Sequence, residues 1–329
     1  MQHPPLHLPS APAETLRARA LLLRQMRAFF DSQGFLEVHT PCLMTDTVID
    51  LHLQSPSVPA DCLGPVASRV RRPELFLQTS PEFAMKRLLA GGMKAIYQIG
   101  PAFRVDERGP YHNPEFTIAE WYRVGDGVEE GIALLASLAT TMLNLTRCPV
   151  VTYAELMRQH AGVDPRESDA ALIRQAVRQR VRDYQVDDDD TIDDCLNILM
   201  DHVIQPAIAN HSAIIIRDYP ATQSALAEID PMDNRIAHRF ELFCGGVELA
   251  NGYGELTDAD QMIDRFETIN QQRISLGRRP LPTDSLLAAA MRDGIPACSG
   301  CALGFDRLLM VATGHSRIDQ VMAFPIERA

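Results

Sequence analysis

The chain has 329 residues, 46% of them hydrophobic, and carries a formal net charge of −12. That is enough apolar material for one large domain or two modest ones, and ordinary Gly, Pro and aromatic contents argue against disordered or collagen-like chains. No run is apolar and long enough to span a bilayer, and the only basic cluster, Arg69, Arg71 and Arg72, is too small to make a stripe for RNA phosphates.

In chain order, residues 1–12 lack the charged-then-apolar plan of a signal peptide. Residues 15–32 read as an amphipathic helix. Leu16, Leu23, Met26 and Phe30 recur at helical spacing, Arg17, Arg24 and Arg27 are left to water, and Gly34 is the stop. Residues 35–40 alternate as a strand up to Pro41, and 75–78 form another. Ser80 then caps a helix whose first position is Pro81. Residues 95–104 and 115–123 make a long hairpin around a turn-rich loop, 106–114. Residues 128–212 are mainly helical. The acidic run 187–190 sits on a solvated loop, without the glycine and spaced ligands of a calcium loop. Residues 213–216 are a buried strand. Residues 241–244 and 247–251 form a hairpin about Gly245-Gly246. Thr257 caps a helix, with Asp260 in capping-box position. Residues 301–303 are extended, Gly304 turns the chain, and 306–313 are helical. Hairpins dominate the strands, so the expected fold is α+β, an antiparallel sheet flanked by helices. The Gly-rich signatures of P-loop and dinucleotide folds are missing.

Three segments carry chemistry. Alternation in the second hairpin strand puts Phe116, Ile118, Glu120 and Tyr122 on one face, which reads either as a pocket wall or as an ordinary half-buried sheet surface. With Gly245-Gly246 as the turn, Glu241 and Glu248 lie diagonally on one face, roughly 7–8 Å apart along the backbone. Two like charges there call for a cation. Hard oxygen donors suit Mg²⁺, and a solvated pair is the alternative. In residues 299–307, small residues let a ligand approach the backbone, and the helix that opens there points N–H groups and Arg307 at an anion. Cys298 and Cys301 match C-x-x-C. No second pair completes a zinc site, and seven cysteines without a framework fit a reducing cytosol.

Together these segments resemble the three signature motifs of the class II aminoacyl-tRNA synthetases, in the family's order. Arg27 with residues 34–41 looks like motif 1, residues 103–122 like motif 2, and residues 303–307 like motif 3. The wording of residues 112–117 and 248–256 is similar to the lysyl branch. The resemblance covers nearly the whole chain and implies a single catalytic domain, residues 1–329, with motif 1 over 16–41, motif 2 over 95–123, a helical stretch over 128–212 and motif 3 over 297–313. Only a dozen residues precede the motif 1 helix, which leaves no room for an anticodon-reading domain. A stand-alone lysyl-type core resembles the family of synthetase paralogues that ligate (R)-β-lysine to elongation factor P. Ala302, where the tRNA enzymes have glycine, agrees with that.

The resemblance implies ATP and Mg²⁺ as cofactors, lysine or (R)-β-lysine as substrate, elongation factor P as acceptor, a cytoplasmic homodimer through motif 1, and no membrane or tRNA partner. Arg104 and Arg307 would grip the phosphates as catalytic groups, with forks that suit phosphate. Phe116 would stack on adenine, and Asn113 and His112 would orient ATP beside Leu249 and Gly304. Glu241 and Glu248 would hold Mg²⁺. Glu255 would pair with the side-chain ammonium of the substrate. Glu82, Glu120 and Tyr122 would frame its other amino group, with Ser80, Asn251, Tyr253 and Ala302 lining the pocket. Ser80 and Glu82 also have a plain reading as an N-cap and a dipole-favoured first-turn carboxylate. The family's glutamate two residues after the motif 2 arginine is Asp106 here, followed by Glu107, and either could serve ATP. Two alternatives stand beside this reading: tRNA charging, and an inactive regulatory paralogue. Retention of Arg104, Glu241, Glu248 and Arg307 argues against the second.

Overall fold

In the computed structural model the described residues are 5–51, 53–187 and 190–329; residues 1–4 of the N-terminal segment and Asp188 and Asp189 of the acidic run lie outside them. The chain runs through α1 (Ala13–Ser32), β1 (Leu36–Glu37), β2 (Leu43–Met44), β3 (Ser57–Pro59), β4 (Glu74–Leu77), α2 (Glu82–Ala90), β5 (Ala95–Phe103) and β6 (Glu115–Val124). It continues through α3 (Val128–Leu143), β7 (Val150–Thr152), α4 (Tyr153–Leu156), α5 (Ala170–Arg180), α6 (Ile192–Leu199), α7 (Gln205–Ile208), β8 (Ile214–Pro220), β9 (Ile236–Cys244) and β10 (Val247–Gly254). It closes with α8 (Ala259–Ser275), α9 (Leu286–Gly294), β11 (Cys298–Gly304) and α10 (Phe305–Thr313). The class is α+β, sheets flanked by helices, as expected. Two compact units divide it: Met1–Gly125 with Thr257–Ala329, and Asp126–Leu256.

In the first unit the strands lie in the order β1-β5-β6-β11. β5, β6 and β11 pair antiparallel, and β1 pairs parallel with β5. The expected strand over 35–40 shrinks to two residues. Phe30 anchors one face of this sheet, its ring stacked on Tyr97 at 4.5 Å and 5.2 Å from Trp121. The buried stripe of α1 is Thr15, Leu22, Met26, Phe29 and Phe30, rotated from the stripe the sequence suggested, so Leu16 and Leu23 are only half-buried. Arg27, expected in water, is half-buried and pairs with Glu37 at 3.0 Å. A second small antiparallel sheet, β2-β4-β3, lies in the same unit.

Two caps differ from expectation by one residue. Pro81 itself is the N-cap of α2, and the Glu82 amide donates to Ser80 Oγ at 3.4 Å. Asp258, not Thr257, caps α8, accepting from the amides of Asp260 and Gln261. A carboxylate one position nearer the helix reaches two orphan donors at once.

In the second unit the order is β10-β9-β8-β7, with β7 parallel to β8 and the rest antiparallel. The helices of residues 153–208 pack into a core with Ile214, Ile216, Tyr219 and Phe243 of the sheet. Gly245 and Gly246 (φ +59° and +80°) form the two-residue turn between β9 and β10, a backbone that other residues adopt only under strain.

Candidate active site

In the first unit, β6 presents Glu120 and Tyr122 on one face. β11 sets Ala302 opposite Glu120, Gly300 opposite Tyr122 and Gly304 opposite Ile118, and β5 adds Gly100 opposite Ile118. Small residues therefore flank a buried carboxylate and a phenol on the β11 side, while Gln98 and Ile96 of β5 stand opposite them on the other. The Tyr122 hydroxyl donates to Glu120 Oε1 at 2.7 Å. α2 packs over the Tyr122 end through Met85 and Leu89. It carries Glu82 and Lys86, paired at 2.6 Å, with the Lys86 ammonium 6.0 Å from the centre of the Tyr122 ring. The fold brings Glu82, Glu120, Tyr122 and Ala302 to one neighbourhood. Lys86 was missed.

The β5–β6 loop brings three charged groups and a histidine of motifs 2 and 3 together. Arg307 Nη2 donates to His112 Nε2 at 2.6 Å. His112 Nε2 lies 4.0 Å from Glu107 Oε2, and Glu107 Oε1 lies 3.5 Å from Arg104 Nη1. Burial, with help from the Arg307 guanidinium, pushes the His112 pKa below its ordinary value, which keeps the ring a neutral acceptor. Arg104 also covers the Phe116 ring at 4.9 Å. Its buried Nε makes no hydrogen bond among the described residues. Asp106 is exposed and left-handed (φ +64°), so Glu107 is the acid that faces Arg104.

Asn113 is 2% exposed and is engaged by backbone: its amide donates to the Glu115 carbonyl at 2.6 Å, and its carbonyl accepts from the Ile326 amide at 3.1 Å. Its visible work is to tie the motif 2 loop to the C-terminal segment.

A further staple joins all three motifs. Asp306, 1% exposed, takes one hydrogen bond from Arg19 of α1 and another from the Thr117 amide of β6 at 2.6 Å. Arg19 also donates to Thr117 Oγ1 at 2.6 Å, and its guanidinium lies 5.0 Å from the centre of the Phe305 ring. Arg19 escaped the sequence reading, because the stripe it shares with Thr15 and Leu22 is seen only in the structure.

In the second unit, the register of the β9–β10 hairpin carries a bulge. Glu248 pairs with Phe243 and Ala250 with Leu242, leaving Leu249 as an extra residue; Asn251 then faces Glu241, and Tyr253 faces Arg239. In a regular strand Glu248 and Asn251, three apart, point to opposite faces. The extra residue brings Glu248, Asn251 and Tyr253 onto the face of Glu241. Leu249 is a buried apolar residue. The Asn251 amide donates to the Tyr253 hydroxyl at 3.0 Å, and Asn251 Oδ1 is buried without a hydrogen bond among the described residues. Glu255 is 5% exposed, just past β10.

Glu241 is buried, and its two oxygens are held by Arg239 and by the Tyr219 hydroxyl. Burial and the Glu241 carboxylate push the Tyr219 pKa well up, so it stays a donor. Among the described residues no group of three or more acids, histidines or cysteines is set for a metal. Mg²⁺ takes as few as one or two carboxylates plus waters and phosphates; Glu248 shares the face of Glu241, whose own oxygens are engaged by Arg239 and Tyr219 and would have to be shared with an ion. Cys298 and Cys301 are both buried.

The match of the chain to known proteins agrees with this constellation. The family model of class II tRNA synthetases (D, K and N) matches residues 8–328. The chain belongs to the class II tRNA synthetases. Among curated class II relatives, it is 40% identical over 322 residues to the elongation factor P–(R)-β-lysine ligase of Vibrio cholerae serotype O1, covering 98% of both chains. It is 39% identical over 321 residues to the ligase of the same description from Hamiltonella defensa, again covering 98% of each. The ligase so described from Vibrio vulnificus is 41% identical over 318 residues, covering 96% of this chain and 97% of that one. No helix among the described residues is long and apolar enough to cross a membrane.

Proposed function

We propose that this protein is an ATP-dependent ligase that activates (R)-β-lysine, or lysine, as an adenylate and transfers it to a lysine ε-amino group of translation elongation factor P. The observation that carries the reading is the match, along almost the whole of both chains, to ligases described by that activity. The convergence of Arg104, Glu107, His112 and Arg307 supplies the chemistry it needs.

In the first step the substrate carboxylate attacks the α-phosphorus of ATP and pyrophosphate leaves. Arg104 holds the α-phosphate, with its buried Nε as the donor that awaits it, and Arg307 meets the terminal phosphates. Glu107 orients Arg104, and neutral His112 orients Arg307. The adenine stacks on Phe116, whose other ring face carries Arg104. Leu249 and Gly304 are backbone neighbours of the nucleotide. Glu248, with Glu241, would hold Mg²⁺, which would supply positive charge against that developing on the phosphates. Glu82, Glu120 and Tyr122 receive one substrate amino group and Glu255 the other, with Ser80, Asn251, Tyr253 and Ala302 shaping the pocket. In the second step the acceptor amine attacks the adenylate carbonyl, the bond between the carbonyl carbon and the phosphate oxygen breaks, AMP leaves with its electron pair, and the amine loses its proton to water. No covalent enzyme intermediate is needed. Two copies pair through α1 and the edge strand β1, where Leu21 and Leu36 are exposed.

The test is ATP–pyrophosphate exchange with (R)-β-lysine and α-lysine, followed by transfer of labelled product to purified elongation factor P or to tRNA. Exchange with a lysine isomer and label on elongation factor P are expected. Label on tRNA alone would overturn the acceptor, and absence of exchange with either isomer would overturn the activity.

A further inference from the structure

Lys86 lies one turn along α2 from Glu82, and of the two it is the more deeply buried: its side chain is 2% exposed, against 12% for the glutamate. An i,i+4 pair that only supports a helix sits on the water side, where holding two long side chains gains little. A buried ammonium is costly and persists only when its position is fixed by opposite charge. Here the pair points at the sheet face that holds Glu120, Tyr122 and the small residues of β11. The lysine ammonium also lies over the Tyr122 ring, close enough for a cation–π contact. Its partner Glu82 has three rotatable side-chain bonds and stands at the open first turn of a nine-residue helix.

We propose that Lys86 is a positioning residue for amino-acid selection: it locks the Glu82 carboxylate above Tyr122, so that the substrate amino group must meet it at one distance from the reacting carboxylate. The two lysine isomers differ in that distance. The inference rests on the proposed substrate-binding role of Glu82, and it adds the group that makes this role selective.

The experiment is a cycle of Lys86→Met, Glu82→Gln and the double variant, read by ATP–pyrophosphate exchange with each lysine isomer and by thermal melting. Lys86→Met is expected to raise KM for the preferred isomer at least tenfold, to change kcat and KM for ATP less than threefold, and to narrow the preference between isomers at least threefold. Because Lys86 acts through Glu82, the double variant should be no worse than Glu82→Gln alone. The double variant strands no charge, so it keeps the cycle readable if Lys86→Met folds poorly. KM within twofold of wild type in Lys86→Met, or full additivity in the cycle, overturns the proposal. Failure of the wild-type protein to exchange with either isomer instead overturns the activity itself.

Discussion

Replacing Asp306 by Asn tests whether the staple between the three motifs governs both stability and nucleotide binding. One Asp306 oxygen serves Arg19 and the other the Thr117 amide, and only 2% of the Asp306 side chain is exposed, against 22% of Arg19. Asparagine keeps one acceptor and turns the other into a donor aimed at a guanidinium or an N–H. A broken buried pair costs about 3–5 kcal/mol, and the partial exposure of Arg19 places this one at the lower end, about 3 kcal/mol. Arg19→Met should cost a similar amount, leaving the carboxylate with one amide. The Arg19→Met/Asp306→Asn pair should lose less than the sum, with a coupling of at least about 1 kcal/mol. Urea unfolding midpoints give the stabilities, and ATP titration gives the second readout. Arg307 stands in the same first turn as Asp306, so the affinity for ATP should fall in parallel with stability. Midpoints indistinguishable from wild type, or additive effects, would refute the argument.

Three other outcomes follow from the site. Arg104→Ala should lower exchange by about 10²–10³-fold, the usual loss on removing one preorganised charge donor, with the fold intact by circular dichroism. Glu255→Gln should reduce exchange by at least about 10²-fold, since a buried ion pair would be lost, yet leave ATP binding by calorimetry within twofold. His112 is held below its ordinary pKa by burial and by Arg307, with Arg104 adding and Glu107 opposing. As pH falls through that lowered value, the ring changes from acceptor to cation and repels Arg307, so KM for ATP should rise on the acid side. The folded-state contribution has the same sign, full above the ordinary imidazole value and lost below the lowered one. His112→Gln should flatten the acid limb of the KM profile.

Much of this molecule is readable from local pattern. The β5–β6 and β9–β10 hairpins, the helices of residues 128–212 and the gathering of Arg104, His112 and Arg307 follow from alternation, turn glycines and motif wording. What was hidden depends on partners distant in sequence. Arg19 and Lys86 look like solvent charges in a helical pattern, and only Asp306 or the Tyr122 face reveals why they point inward. The bond that Asn113 accepts from the C-terminal Ile326 amide is likewise beyond any local pattern. The phase of α1 was misjudged because Leu16 and Leu23 are as apolar as Leu22 and Met26. Strand pairing parallel at β1 and β7 is invisible to alternation, which fixes faces but not direction.

The single supernumerary residue in β10 acts as a phase shifter within a ribbon. Upstream of Leu249 the strand carries Glu248, the proposed metal contact, and downstream it carries Asn251 and Tyr253, with Glu255 just past its end, the residues proposed to meet the amino acid. Because the two stretches keep separate rhythms, evolution or design can rewrite the downstream stretch to accept another diamino acid while the nucleotide end stays in step.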